Sequence, residues 1–472
     1  MSAEYGTDAP AARHTGTPEA ARTAPSWTRW AALGTATFMA SLDNLVVSIA
    51  LPHIQRQHGV SVEALTWAVN AYTLPFAVLM LVAAVAGERW GRRRVLLVGL
   101  VLFGGASALA GLAPSYEMFV VARFVQGVGA ALLVPLSLTL LLAGTQADRR
   151  PMVIALYSAV QGLGVALGPF IGGLIISAAS WPWVLWVNVP LTVLVLVLAR
   201  RLPQPPPRRG AHFPVGSLAL LSLGLLATAL AALSLDGGGP WAILWAALAV
   251  ALLIAGGRRV GRRDHPALPA RLFQNVGFRW ANLTAFVVSA GVFGVVFFLT
   301  QYLQVVMGYA PLTAGLATLP WTLLPAAAAP VAGWAAPRYG MRPLLLLAGI
   351  LQILGLGWFL WTLSPGTPYP VLLPGMVLAG LGMGVFFALI TGQAVSFAHR
   401  SDEGVATGVN TSVREAGVLV GVASVGGVFA LAGGDPTPRG FEAGLPAALL
   451  TAIVLLVLGL VSTARTPRVP GP

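Results

Sequence analysis

Gly164-Val165-Ala166-Leu167-Gly168-Pro169-Phe170-Ile171-Gly172-Gly173 is the stretch whose reading decides the fold. It lies in an apolar segment, yet its glycines strip side chains from a helix face, and Pro169 removes a backbone donor and bends the axis. A helix in hydrocarbon tolerates that combination only where neighbours pack closely against the bare backbone. Gly168 and Gly172 are four apart and share one face. Ordinary small-residue packing accounts for the glycines but not for the Gly-Pro step followed by Gly-Gly.

The rest of the composition sets the class. The chain has 472 residues, 57% hydrophobic and 9% charged, with a mean hydropathy of +0.81. No soluble fold of that length hides so much apolar surface, so the expectation is an all-α polytopic membrane protein in contact with the lipid bilayer. The absence of cysteine excludes disulfides, thiolate metal sites and cysteine nucleophiles. All 28 basic residues are Arg, and a phosphate-binding P-loop needs Lys. Any transport is therefore expected to draw on an ion gradient, unless a separate ATPase subunit is supplied, with no cofactor and no metal.

Residues 1–26 are polar and rich in Ala, Thr and Pro, and read as a disordered tail rather than a cleavable signal peptide. Fourteen segments then follow: 27–51, 63–86, 94–112, 116–142, 152–177, 181–199, 214–235, 240–257, 277–304, 311–335, 343–363, 369–392, 404–431 and 443–463. Each is long enough to cross a core of ~30 Å as a helix. With the N-terminus placed in the cytoplasm, 24 of the 28 arginines fall on the cytoplasmic side. Arg56 and Arg439 fall outside, and Arg123 and Arg414 lie within spans. This positive-inside pattern puts both termini, including the tail 465–472, in the cytoplasm. The net charge of +13 thus reflects topology, and no nucleic-acid partner is expected.

An internal repeat groups the spans. Arg89-Trp90-Gly91-Arg92-Arg93 before one span recurs as Arg338-Tyr339-Gly340-Met341-Arg342 before another, and the same offset of 249 residues carries the first span onto the ninth. The expected organisation is a six-span half over 27–200, a connector with two inserted spans over 201–276, and a second six-span half over 277–464. Parallel six-span repeats around a central site are a transporter arrangement.

At these residues the chain resembles the fourteen-span drug:proton antiporter branch of the major facilitator superfamily. The resemblance covers nearly the whole chain. Gly164, Gly168, Pro169, Gly172 and Gly173 match the antiporter motif of that superfamily at every fixed position. The segment from Ser41 to Pro52, with Asp43, resembles the first-span signature, and Arg123-Phe124-Val125-Gln126-Gly127 the fourth-span motif. Trp181-Pro182-Trp183 through Asn188-Val189-Pro190 resembles the start of the sixth span, with Pro182 where Arg is usual. Glu88-Arg89-Trp90-Gly91-Arg92-Arg93 resembles the gating loop, with Glu88 for the usual Asp and Ala84 for the usual leading Gly. The Ala84 change is expected to loosen a close helix contact that the Gly permits.

Depth supports a pairing independently of the family. Asp43 lies about 20 Å from the inner edge of its span, and Arg123 about 20 Å from the same edge. A charge at that depth needs a partner or water, so Asp43 and Arg123 are expected to pair and to carry proton coupling; a static ion pair is the alternative. Arg414 and Glu415 form a possible second polar site near the midplane. Sequence neighbours on a helix point ~100° apart, so these two need not pair with each other. Asn70, Tyr72, Gln126, Gln161, Gln301 and Gln304 are candidates for cavity lining, with interhelical bonding as the alternative.

The resulting reading is a proton-coupled antiporter, expected to be a monomer, that exports a hydrophobic or amphipathic small-molecule substrate across the cytoplasmic membrane by alternating access. The span 5 glycines would sit at the closing seam, and Glu88 with its arginines would latch the cytoplasmic side. Alternatives are a dedicated exporter of one endogenous metabolite and a receptor without flux. An enzyme would need polar catalytic clusters or an extramembrane domain, and no loop much exceeds ~20 residues.

Overall fold

A computed structural model describes residues 26–467 apart from 61, 144, 147–148, 203, 205–213, 235–239, 263–268, 365, 400–401 and 435–436. Residues 1–25 of the expected tail, 468–472, and most of the stretch 200–213 lie outside the described residues.

Among the described residues the chain is helical and has no strand. Seven elements cover the first half: α1 (Ser26–His58), α2 (Val62–Trp90), α3 (Arg92–Gly111), α4 (Tyr116–Ala143), α5 (Arg150–Ala178), the short α6 (Trp183–Trp186) and α7 (Asn188–Ala199). The inserted pair is α8 (Val215–Leu233) and α9 (Pro240–Arg262), followed by the short α10 (Ala270–Gln274). The second half contains α11 (Val276–Val305), α12 (Pro311–Ala317), α13 (Leu319–Thr322), α14 (Leu324–Tyr339), α15 (Met341–Thr362), α16 (Tyr369–Ser396), α17 (Glu403–Leu431) and α18 (Pro438–Arg465).

Each of the fourteen expected segments falls on a helix or a run of short helices. The sixth is split into α6 and α7, and the tenth into α12, α13 and α14. Pro320 and Pro325 open α13 and α14, where a proline withholds the donor that a continuous helix needs. Nine described helices are long and apolar enough to cross a membrane. The count is ten when the two arms of α5, inclined by 42° between Val165 and Phe170, are taken as one. The bend falls on the Gly168-Pro169 step.

Buried side chains form a cluster centred on each half, and a further cluster is shared between α2 and α17. Phe103, Leu133 and Val134 belong to a core between α3 and α4, while Trp321, Phe359 and Phe386 belong to one in the second half. The repeated loop has the same backbone in both places. Gly91 has φ 98° and Gly340 φ 82°, left-handed values that a side chain would strain. Two residues on, Arg93 donates to the carbonyls of Arg200 and, at 3.2 Å, Leu202, beyond the end of α7; Arg342 donates to the carbonyl of Ala464 at the end of α18. Each arginine thus satisfies carbonyls that a helix terminus leaves free.

The glycine face of α5 lies elsewhere than the sequence suggested. A Cβ at Gly164 would come within 2.8 Å of the Phe38 carbonyl oxygen and Ser41 Cβ, and one at Gly172 within 3.1 Å of the Val46 carbonyl oxygen. Gly164 and Gly172 therefore seat α5 on α1, inside the first half, rather than at the closing seam between halves. Gly168 is buried and Gly173 half-buried on the same helix. The Ala84 substitution does not loosen its contact either. A Cβ at Gly408 on α17 would overlap Ala84 Cβ, so the second half supplies the small residue.

The α1–α5 contact yields a direct test. Gly164→Leu should destabilise the folded protein by about 1–3 kcal/mol through overpacking. Gly105→Leu should be neutral, because nothing lies within 4 Å of the added Cβ there. Thermal unfolding followed by size-exclusion fluorescence in detergent checks both. Equal stability of the two variants would contradict the contact.

Candidate functional site

Asp43 on α1 and Arg123 on α4 are both fully buried, and Arg123 Nη1 donates to Asp43 Oδ2. The depth argument placed them at one level, and the fold brings them together. Asp43 Oδ1 also accepts from Gln126 Nε2 at 2.9 Å and from Asn188 Nδ2 at 2.8 Å. Both amides donate in turn to Ser107 Oγ on α3, each at 3.1 Å, and Ser107 Oγ donates to the Leu185 carbonyl at 2.8 Å. The carboxylate is thus held from α4 and α7 and braced from α3, so no single helix owns it.

The guanidinium is equally constrained. Arg123 Nε donates to the Ala68 carbonyl at 3.2 Å, and Nη1 also reaches Gln126 Oε1 at 2.8 Å. Its Cζ lies 4.4 Å from the centre of the Tyr72 ring, a cation–π contact in a dry setting where such contacts are strongest. Tyr72 donates to the Ala40 carbonyl at 2.7 Å, which ties α2 to the turn of α1 that carries Asp43. Nη2 of Arg123 is buried without a hydrogen bond. The cluster is a charge pair whose every other polar contact strengthens the charged state.

Several expected residues take other places. Tyr72 and Gln126, expected as cavity lining, are fully buried and contact the ion pair directly. Gln161 does face an internal space, with Tyr157, Ser158 and Arg414, around a void of about 10 Å³ between the halves. That is at the lower limit for one water molecule. Asn70, Gln301 and Gln304 are half-buried, and Gln304 bonds back to the Thr300 carbonyl at 3.4 Å. Arg414 and Glu415 do pair with each other, Nη2 to Oε1 at 3.1 Å. Their Cβ directions diverge, but the long Arg414 chain curls back while its Cζ sits 5.3 Å from the Phe387 ring centre. Ser107 and Asn188 had no place among the expected site residues. A lone Asn at the head of the apolar run Asn188–Ala199 was the available signal.

A second polar cluster joins the halves at the arginine-rich end. Glu88 is buried and accepts from Arg92 Nε at 2.9 Å. A Cβ at Gly404 would overlap Glu88 Oε1, so this carboxylate sits against the first turn of α17 in the other half. There it meets the positive end of the helix dipole. Next to it, Arg150 at the head of α5 pairs with Glu403, and Arg271 of α10 pairs with Asp402 at 2.9 Å. Arg89 lies 6.0 Å from the Trp90 ring centre.

With this geometry in place, comparison with known proteins is decisive at the family level. The family model described as Major Facilitator Superfamily matches residues 33–422. The chain is 32% identical over 420 residues to the methylenomycin A resistance protein of Streptomyces coelicolor, covering 86% of this chain and 86% of that one. It is 33% identical over 423 residues to the multidrug efflux pump LfrA of Mycolicibacterium smegmatis, covering 88% and 83%. The crystal structure of the human organic anion transporter MFSD10 superposes with a TM-score of 0.71 at 16% identity, over 93% of this chain and all of the other, and so shares the fold. A transmembrane bundle of repeated halves, a buried acid–arginine pair and these matches give one answer: the chain belongs to the Major Facilitator Superfamily.

Proposed function

We propose that this chain is a proton-coupled antiporter that exports hydrophobic or amphipathic small molecules across the cytoplasmic membrane by alternating access. The observation that carries the reading is Asp43: a carboxylate with no solvent exposure, in a membrane helix, bonded to an arginine that has other acceptors ready. A proton arriving on Asp43 cancels the charge that holds Arg123. Arg123 then keeps only Gln126, the Ala68 carbonyl and the Tyr72 ring, and α1, α4 and α7 are released from one shared anchor. Losing one charge of a buried pair changes its energy by several kcal/mol, about 3–5 when a partner is removed outright. The proton gradient supplies ~2.3 kcal/mol per charge for each 100 mV. The two magnitudes are of the same order, which supports a proton as the agent that switches the anchor. The protein would work as a monomer with both termini in the cytoplasm, without cofactor and without enzymatic activity.

Relatives support two substrate ranges. LfrA is named a multidrug efflux pump, whereas the Streptomyces coelicolor protein is named for resistance to the single compound methylenomycin A. A susceptibility panel in a pump-deficient host separates broad export from dedicated export of one metabolite. Resistance to several unrelated lipophilic compounds is the expected result. The pair Arg414–Glu415, beside the central void, is proposed as the second polar site that a substrate meets.

Asp43→Asn should fold and insert but lose uphill efflux in vesicles with an imposed proton gradient. Full uphill efflux by that variant, or efflux indifferent to a protonophore, would contradict proton coupling through Asp43. At the arginine-rich end, Glu88→Gln should shift the population toward an inward-open state. A change of about 1–2 kcal/mol corresponds to a factor of roughly 5–30 between two states. Single cysteines placed at either end of the cavity in this cysteine-free chain report the shift as increased labelling from the cytoplasm. Unchanged labelling on both faces would leave Glu88 without a latch role.

A further inference from the structure

Two six-helix halves meet along two lateral seams, one between α2 and α17 and the other between α5 and α14. The structure treats them differently. Over the first seam lies α8, which packs along both α2 and α17. Ser222 Oγ on α8 donates to the Val78 carbonyl on α2 at 3.2 Å. Leu218 of α8 and Val260 of α9 join Leu81 and Val85 of α2 and Val405 and Val409 of α17 in one buried apolar cluster. Arg271, two residues into α10, fastens the segment that follows the inserted pair to Asp402, beside the first turn of α17. Both seam helices here run continuously, α2 straight enough through its interior Pro75 to count as one span, and α9 turns Trp241, Ile243 and Leu244 outward as an exposed apolar face.

Neither inserted helix packs along α5 or α14 among the described residues. The second seam is made of bent and broken helices. α5 carries the 42° bend, and the segment ending in α14 is interrupted at Thr318 and Leu323. Leu156, Val331 and Trp334 are exposed along it. Ser158 and Gln161, on the α5 side, border the small internal void that Arg414 also lines. A side chain at Gly162 would meet Pro325 of α14 at 4.0 Å, an ordinary contact that leaves the seam loosely filled.

We infer that the inserted pair α8–α9 closes the α2–α17 seam to the bilayer, and that a lipophilic substrate dissolved in the membrane reaches the cavity through the α5–α14 seam. The inference rests on the exporter reading and adds to it the side of approach. A bend of this kind needs little energy to change, because its backbone bonds are already interrupted at proline, whereas parting α2 from α17 must also strip α8 from both. The extra helices thereby make lateral access one-sided in a fold built from two similar halves.

The absence of cysteine makes the test direct. Gly162→Cys and Ser222→Cys variants are reconstituted in vesicles, confirmed as monodisperse before reconstitution, and treated during turnover with an N-alkyl maleimide confined to the bilayer. The expected result is alkylation of the Gly162→Cys variant about tenfold faster than of the Ser222→Cys variant. A hydrophobic dye that the parent protein exports should slow the faster reaction. Equal rates, a faster Ser222→Cys variant, or no alkylation of either while efflux continues would overturn the inference. A parent protein without gradient-driven efflux would instead remove the exporter reading, which the labelling rates do not measure.

Discussion

The ion pair between Asp43 and Arg123 constrains everything around it, because hydrocarbon offers neither group an alternative partner. An isolated charge at that depth is costly, and the pair is tolerable only when its remaining donors and acceptors are matched. The first half is arranged to match them, with Arg123 Nη2 as the exception. Gln126 and Asn188 fill one carboxylate oxygen, Ser107 braces both amides, and Tyr72 covers the guanidinium while fastening α2 to α1. Gly164 lets α5 lie directly against the Phe38–Leu42 turn, one residue before the acid. Packing and charge are therefore coupled: a change of charge on Asp43 is felt by every helix that meets there.

The second half has no copy of this cluster. The 249-residue offset carries Asp43 onto Val292 and Arg123 onto Leu372, both buried and apolar. What the repeat does preserve is the turn at Gly91 and Gly340 and the arginine two residues on, which caps a helix end in each half. Symmetry survives where it serves the scaffold and is lost where charge is concentrated. The contacts between halves at the arginine-rich end are similarly uneven. Glu88, Asp402 and Glu403 all collect near the start of α17, and their partners Arg92, Arg271 and Arg150 come from three other elements. That end of α17 is where charged contacts join one half to the other and to α10, the segment after the inserted pair.

Much of this was legible in the sequence, for reasons tied to particular residues. Helix rise and hydrocarbon thickness set the depth of Asp43 and Arg123, so their pairing followed from arithmetic. The repeated Arg-aromatic-Gly loop announced the two halves. What sequence reasoning missed depends on direction around a helix rather than on depth. That Tyr72 and Gln126 turn onto the ion pair was not readable, because polarity does not reveal which way a side chain points in a bundle. Gly164 and Gly172 were assigned to the seam between halves because a bare helix face does not name its neighbour. Arg414 and Glu415 were separated by Cβ direction alone, which ignores how far an arginine reaches. The breaks in the sixth and tenth segments lie two to three residues before prolines at 190, 320 and 325, residues that a hydropathy window averages away.

The central claim is that Asp43 gives up or takes up a proton as substrate binds, with Arg123 as its charged counterpart. Proton release on substrate binding, measured with purified protein in weakly buffered detergent solution, tests it most directly. The account predicts release on addition of an exported compound to the parent protein and none from Asp43→Asn at equal occupancy. Release of the same size from the Asp43→Asn variant would contradict it.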